Sequence, residues 1–179
     1  LAAADMSPFR VEHVNVDLPE LQGDPLEICR AKVAAAAEMV GGAVLVEDTS
    51  LCFTALGGMP GPYIKWWMEA LGVEGLYKLL QPYEDKSAYA QCTLGFSSGP
   101  GATPRLFVGT TDGSIAQPHG DSGFGWDACF IPDGESRRFG EMSMRQKNAI
   151  SHRARALELL VASCREHAEA TSGVAPRRP

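Results

Sequence analysis

The sequence has no apolar run approaching the ~20 residues of a bilayer span, and no charged n-region followed by an apolar h-region and cleavage site. The expectation is a soluble, cytoplasmic protein. C-x-x-C pairs are also missing: Cys29, Cys52, Cys92, Cys129 and Cys164 are widely spaced, with no Cys/His cluster at zinc spacing. Such thiols read as core residues of a reducing compartment, not as a disulfide framework. Positive charge is in short supply, with sixteen Lys and Arg against twenty-two Asp and Glu and a formal net charge of −6. No whole-molecule field therefore draws the chain to nucleic acid or an anionic membrane, and an anionic ligand must be held by local cations. Neither a Walker A loop nor a G-x-G-x-x-G fingerprint occurs.

What is present fits one α/β domain. The 179 residues suit a single core, and 45% apolar with 21% charged residues excludes a disordered chain. Arg10–Leu18 half-alternates like a strand ended by Pro19. Asp24-Pro25 reads as the N-cap and first residue of an alanine-rich helix over 26–40, closed by Gly41-Gly42. Ala43–Val46 predicts a short buried strand that ends on Glu47-Asp48-Thr49, with a further strand over 50–56. Pro62 suits the opening of a helix over 63–71, Gly72 stops it, and a second short helix fits 73–80. Lys86–Ser97 and Arg105–Ile115 predict a long hairpin, and Trp126–Pro132 a last short strand. Ser143 with Gln146 makes a capping box for a helix whose apolar spacing continues to Ala168, and Thr171–Pro179 reads as a flexible tail.

Four constellations bear on chemistry. A buried strand delivering Glu47 and Asp48 at its C-terminal end suits Mg²⁺, which takes one or two protein oxygens beside water and phosphate; an acidic turn is the bland alternative. Gly57–Pro62 followed by Tyr63-Ile64-Lys65 places a lysine in a first helical turn, which is unfavourable against the helix dipole without an anion nearby. Phe124-Gly125-Trp126-Asp127 sets a glycine between two aromatics, where a planar ligand can stack, although aromatics are more often core. Lys147-Asn148-Ala149-Ile150-Ser151-His152-Arg153 gathers two fixed cations and an imidazole, suited to carbonyl or phosphate oxygens or simply to water. Together they match the needs of a nucleotide-phosphate enzyme.

Val44–Phe53, Ala55–Trp66 with its Pro-Gly-Pro-Tyr-Ile-Lys-Trp wording, Glu84–Ala90, Phe124–Asp127 and Glu141–Arg153 strongly resemble the Ham1 family of inosine triphosphate pyrophosphatases, in its eukaryotic form. The resemblance runs in order from about Asp17 to Leu160. It implies a long mixed central sheet with helices in two lobes and a substrate cleft between them, assembled as a homodimer. It also implies cleavage of ITP, dITP and XTP between the α and β phosphates with Mg²⁺, or Mn²⁺, as cofactor, and thereby cleansing of the nucleotide pool. By this likeness Asp48 is the catalytic base and a metal ligand, and Glu20 a second metal ligand. Lys32 and Lys65 lie near the phosphates, and Asp48 and Thr49 also bind substrate. Phe124, Gly125, Trp126, Asp127, Lys147, His152 and Arg153 surround base and sugar.

Family members open with a strand and a Thr/Ser-Gly-Asn loop that contacts the triphosphate, whereas Leu1 falls about where the next helix ends. The expectation is one two-lobed domain over 1–179, N-terminally incomplete. Two other readings stay open: a Maf-like pyrophosphatase of different base preference, and a catalytically silent nucleotide-binding protein.

Overall fold

The computed structural model describes residues 10–119 and 125–171. Helix α1 (Pro25–Val40) begins where expected, because Asp24 Oδ1 accepts from the N–H groups of Leu26 and Glu27 at 2.9 and 3.4 Å. Its Ile28, Cys29, Val33, Ala36 and Ala37 form one buried stripe. After it come strand β1 (Val44–Phe53) and the two-residue β2 (Pro60–Gly61), which pairs with Leu51 and Cys52. Helix α2 (Ile64–Leu80) contains the expected interruption: Gly72 has φ +64°, a left-handed conformation that costs glycine little, and it divides the element into two helices. The long hairpin is β3 (Ser87–Ser97) with β4 (Arg105–Ile115), and β5 (Phe130–Pro132) closes the sheet in the order β2-β1-β3-β4-β5. The α/β class is the one expected, and all four described pairings are antiparallel where a mixed sheet was anticipated.

Four local expectations are corrected. Arg10–Leu18 forms no ladder among the described residues, and its Val11 and Val14 are exposed, because alternation makes a strand only when a partner supplies hydrogen bonds. The two short strands around Glu47-Asp48-Thr49 are one ten-residue strand. Pairing with β3 is unbroken from Val44↔Ser97 to Phe53↔Ala88, so the polar trio continues the strand and Asp48 lies in its middle, not at its end. Finally, the helix from Ser143 is broken into α3 (Met144–Asn148) and α4 (His152–Thr171). Ser143 and Gln146 form the capping box of the first, while Ser151 Oγ accepts from Ala154 N at 3.2 Å at the start of the second. Thr111 Oγ1 donates to Ile150 O at 2.8 Å within the break. The last strand is also shorter than expected, since residues 126–129 form turns before β5. Residues 172–179, where the tail was expected, lie outside the described residues.

Two apolar clusters pack on the sheet. Leu51, Phe53, Ala88 and Ala90 meet Ile64, Leu76 and Leu80 of α2 together with Trp126, Phe130 and Phe139. Further along the same strands, Cys92, Leu94 and Phe107 meet Ala156 and Leu160 of α4. At Gly109 of β4 a Cβ would stand 2.2 Å from His152 O and 2.3 Å from Ala156 N, so the absence of a side chain lets α4 lie directly on the sheet. Lys86 fastens the far end of α2 by donating its Nζ hydrogens to the carbonyls of Leu80, Gln81 and Tyr83. All five cysteines are free thiols, four of them buried, as the spacing suggested. Among the described residues no helix is long and apolar enough to cross a membrane.

Candidate active site

Successive residues of a strand point to opposite faces, so the adjacent carboxylates Glu47 and Asp48 reach different sides of β1. Asp48 looks toward α1, which presents Lys32. Lys32 Nζ lies 2.9 Å from Asp48 Oδ1 and 3.0 Å from Glu20 Oε2, and Lys65 Nζ lies 3.2 Å from Glu20 Oε1. Glu20 precedes α1 in an irregular stretch that is tied to the start of α2 by the Gly23 N–H donating to Tyr63 Oη at 2.9 Å. That tie brings Lys65, in the first turn of α2, beside residues 45 positions earlier. The hydrogen bond from Lys32 is the main influence holding the Glu20 carboxyl below its usual range. Burial opposes the charge on Lys32, but its bonds to Asp48 and Glu20 prevail and its pKa is raised. The cluster is open at one end, since Lys65 is 57% exposed.

The second group is dry. Lys147 and Asp127, 9% and 6% exposed, form an ion pair, and the Lys147 ammonium also sits 5.2 Å from the centre of the Phe139 ring. Trp126 packs against His152 with centroids 5.5 Å apart and planes at 33°, and against Phe130 edge-on at 5.4 Å. His152 is 3% exposed and its Nδ1 has no hydrogen-bond partner among the described residues. Burial, reinforced by the charges of Arg153 and Lys147, pushes its pKa down to about 3, so the imidazole is neutral at ordinary pH. A neutral ring with an unmet polar atom beside an indole is suited to a planar ligand carrying hydrogen-bonding edges.

Between these groups Arg153 meets Glu47: Nε lies 2.9 Å from both carboxylate oxygens and Nη2 lies 2.5 Å from Oε1. This pairing raises the Arg153 pKa further. Thr49 Oγ1 donates to Glu47 Oε1 at 3.4 Å.

The expected residues thus fall into three sets. Glu20, Lys32, Asp48 and Lys65 come together, as do Trp126, Asp127, Lys147 and His152, and Arg153 joins Thr49 through Glu47. Gly125 adopts φ +55° before Trp126, and Phe124 lies outside the described residues. Two further participants are Glu47, whose pairing with Arg153 was not expected from sequence, and Phe139. Glu47 was visible as the neighbour of Asp48, whereas nothing in sequence distinguished Phe139 from any other core aromatic. A separate cavity of about 650 Å³ is lined by apolar residues such as Val14, Val16, Val40 and Val44 and contains none of the expected site residues.

The donor set bears on the metal as well. Among the described residues no three His, Cys, Asp or Glu side chains converge to hold a metal, and the carboxylates of Glu20 and Asp48 both meet Lys32. Two carboxylates complemented by water and substrate phosphate are an ordinary Mg²⁺ environment and a poor one for a structural metal.

Comparison with known proteins bears on the family and the fold. The Ham1 family model matches residues 2–163. The Ham1 protein of Staphylococcus aureus is 31% identical, with a TM-score of 0.76 over 86% of this chain and 82% of that one. The HAM1 protein of Coxiella burnetii is 29% identical, with a TM-score of 0.78 over 84% and 81%. A nucleoside-triphosphatase, described as a dITP/XTP pyrophosphatase, from Mycobacterium abscessus is 28% identical, with a TM-score of 0.67 over 83% and 82%. With the family match spanning nearly the whole chain and the fold shared across three solved relatives, the protein belongs to the Ham1 family.

Proposed function

We propose that this protein, a nucleoside triphosphate pyrophosphohydrolase, acts on the noncanonical purine nucleotides ITP, dITP and XTP, releasing monophosphate and pyrophosphate and so cleansing the cytoplasmic nucleotide pool. The supporting observation is the division of the site on either side of β1: a lysine–carboxylate cluster around Asp48 that opens to water at Lys65 and Glu20, and a buried aromatic–cation pocket around Trp126 and Lys147.

In this reading Lys32 and Lys65 bind phosphate oxygens and stabilise the charge of the departing pyrophosphate. Glu20 and Asp48 would hold Mg²⁺, or Mn²⁺, which when bound neutralises triphosphate charge. Asp48 pairs with Lys32 through Oδ1, and its carboxylate takes the proton of the attacking water. Thr49 steadies the neighbouring strand residue Glu47. The Phe124-Gly125-Trp126 step receives the base, and Asp127 keeps Lys147 in place. Lys147, His152 and Arg153 present donors to a 6-oxo group, whereas adenine would set its 6-amino donor against them and leave polar groups unpaired. The working unit is a homodimer, which sedimentation of the purified chain will register as twice the 19.2 kDa monomer mass.

The direct test incubates the protein and Mg²⁺ with ITP, XTP, dITP, ATP and GTP and resolves pyrophosphate from orthophosphate. Pyrophosphate from the first three, in clear excess over ATP, is the expected outcome. Equal turnover of ATP and ITP would overturn the specificity, and release of orthophosphate alone would overturn cleavage between α and β.

A further inference from the structure

The reaction as described uses Asp48 and leaves its neighbour Glu47 without a role of its own. Glu47 nonetheless makes an ion pair of well-defined geometry. Its carboxylate grips Arg153, 106 residues away, with Nε at 2.9 Å from each oxygen and Nη2 at 2.5 Å from Oε1. Engaging two nitrogens of a planar guanidinium sets the plane of the group as well as its position. Thr49, two residues along and on the same face of β1, adds its hydroxyl to Glu47 Oε1 at 3.4 Å.

Both ends of the pair are mounted on rigid elements. Glu47 and Thr49 are held in register by Leu94 and Cys92 of β3. Arg153 lies in the first turn of α4, which Ser151 caps and which Gly109 admits onto the sheet. The side chains of Arg153 and Glu47 are 35% and 31% exposed, a setting in which ion pairs add little stability, so orientation is the more valuable product of the contact. The residue just before Arg153 in α4 is His152, which packs on Trp126 in the dry pocket.

We propose that Glu47, supported by Thr49, is a positioning residue that orients the Arg153 guanidinium for discrimination of the nucleotide base. Glu47 touches neither phosphate nor attacking water. It acts through Arg153, and β1 thereby carries both functions on adjacent residues, chemistry at Asp48 and base selection at Glu47. This inference rests on the reading of Arg153 as a base contact.

The test compares Glu47→Gln, Glu47→Asp, Arg153→Ala and the Glu47→Gln/Arg153→Ala double variant in the full chain, by steady-state kinetics with ITP and ATP and by Mg²⁺ titration. Glu47→Gln is expected to raise KM for ITP about tenfold, with kcat within about twofold and a reduced ITP-over-ATP preference, as befits loss of a binding interaction. Glu47→Asp should recover part of that preference, and the double variant should be no worse than Arg153→Ala. The Mg²⁺ midpoint should stay at its wild-type value in Glu47→Gln, which separates positioning from disturbance of Asp48. If Arg153→Ala loses the preference while Glu47→Gln keeps it, or if the two effects add in full, the positioning role is overturned and the base contact stands. If Arg153→Ala keeps the preference, the base contact itself falls and the positioning role with it. A fall in kcat with a shifted Mg²⁺ midpoint in Glu47→Gln would overturn the proposal by assigning Glu47 to the chemistry at Asp48.

Discussion

Lys65 and Lys147, one in each half of the candidate site, are held in opposite ways. Lys65 is 57% exposed and touches Glu20 at the rim of an open cluster, while Lys147 is buried against Asp127 and the face of Phe139. A water-exposed cluster can exchange its partners cheaply, as phosphates and a hydrated divalent ion require. A dry pocket cannot exchange partners without stranding a charge, so its donors are fixed in advance, as recognition of a base requires. Asp48 and Lys32, 11% and 13% exposed, are nearly as enclosed as Asp127 and Lys147, so the contrast lies at the rim: the first cluster opens to water through Lys65 and Glu20, and the second has no such opening among its described members.

Substitutions on either side can break that contrast. Asp48→Asn is expected to have the largest effect, a loss of about 10³-fold in turnover, because the amide cannot take the proton from water. Thermal unfolding should be close to wild type, since Lys32 keeps Glu20 as a partner. Substantial retained turnover would move the base elsewhere. Lys147→Met follows: leaving Asp127 charged and unpaired in a buried site should cost about 3 to 5 kcal/mol, measurable by urea unfolding. A loss no greater than that of a surface change would mean that the pocket is wetter than its geometry shows.

His152 supplies an intermediate effect that depends on pH. Folded, its imidazole takes a proton only near pH 3; unfolded, it does so near 6.5. Between those values the unfolded chain binds more protons, so stability rises with pH and this contribution is lost as pH falls from about 6.5 toward 3. A His152→Phe variant should therefore lose less Tm than wild type on going from neutral to mildly acidic buffer. Equal slopes would assign the acid sensitivity to other groups. Lys65→Met should have the smallest effect on stability, below about 0.5 kcal/mol, because the ion pair is exposed. Its activity should nevertheless fall through a higher KM for the triphosphate. A large stability loss there would erase the distinction between the two ends.

Local signals were legible where one element satisfied itself. Asp24-Pro25, the Ser143/Gln146 capping box and Gly72 marked helix boundaries that the structure contains, because each acts on backbone groups within a turn. Signals that needed a partner failed. The polar Glu47-Asp48-Thr49 looked like a strand end, yet β3 carries the ladder through it. Ser151 was read as part of a continuing helix, yet its hydroxyl and Thr111 divide that helix in two. Within the site, the residue types were recognisable from their motifs, but the assignment of Lys32 to both carboxylates and of Arg153 to Glu47 was not. Those pairs join positions 12, 16 and 106 residues apart, and spacing in sequence carries no information about them.

By itself the sequence determined the α/β class, the free thiols and the absence of a general positive field, and it named the candidate site residues, since composition, caps and motifs are properties of neighbouring residues. Only the tertiary structure decided which charges are dry and which are wet, and that Glu47 and Asp48 serve opposite faces of one strand. Burial and pairing are properties of surfaces brought together by folding, and the same lysine acts as an exchangeable ligand or a fixed donor according to the surface it meets.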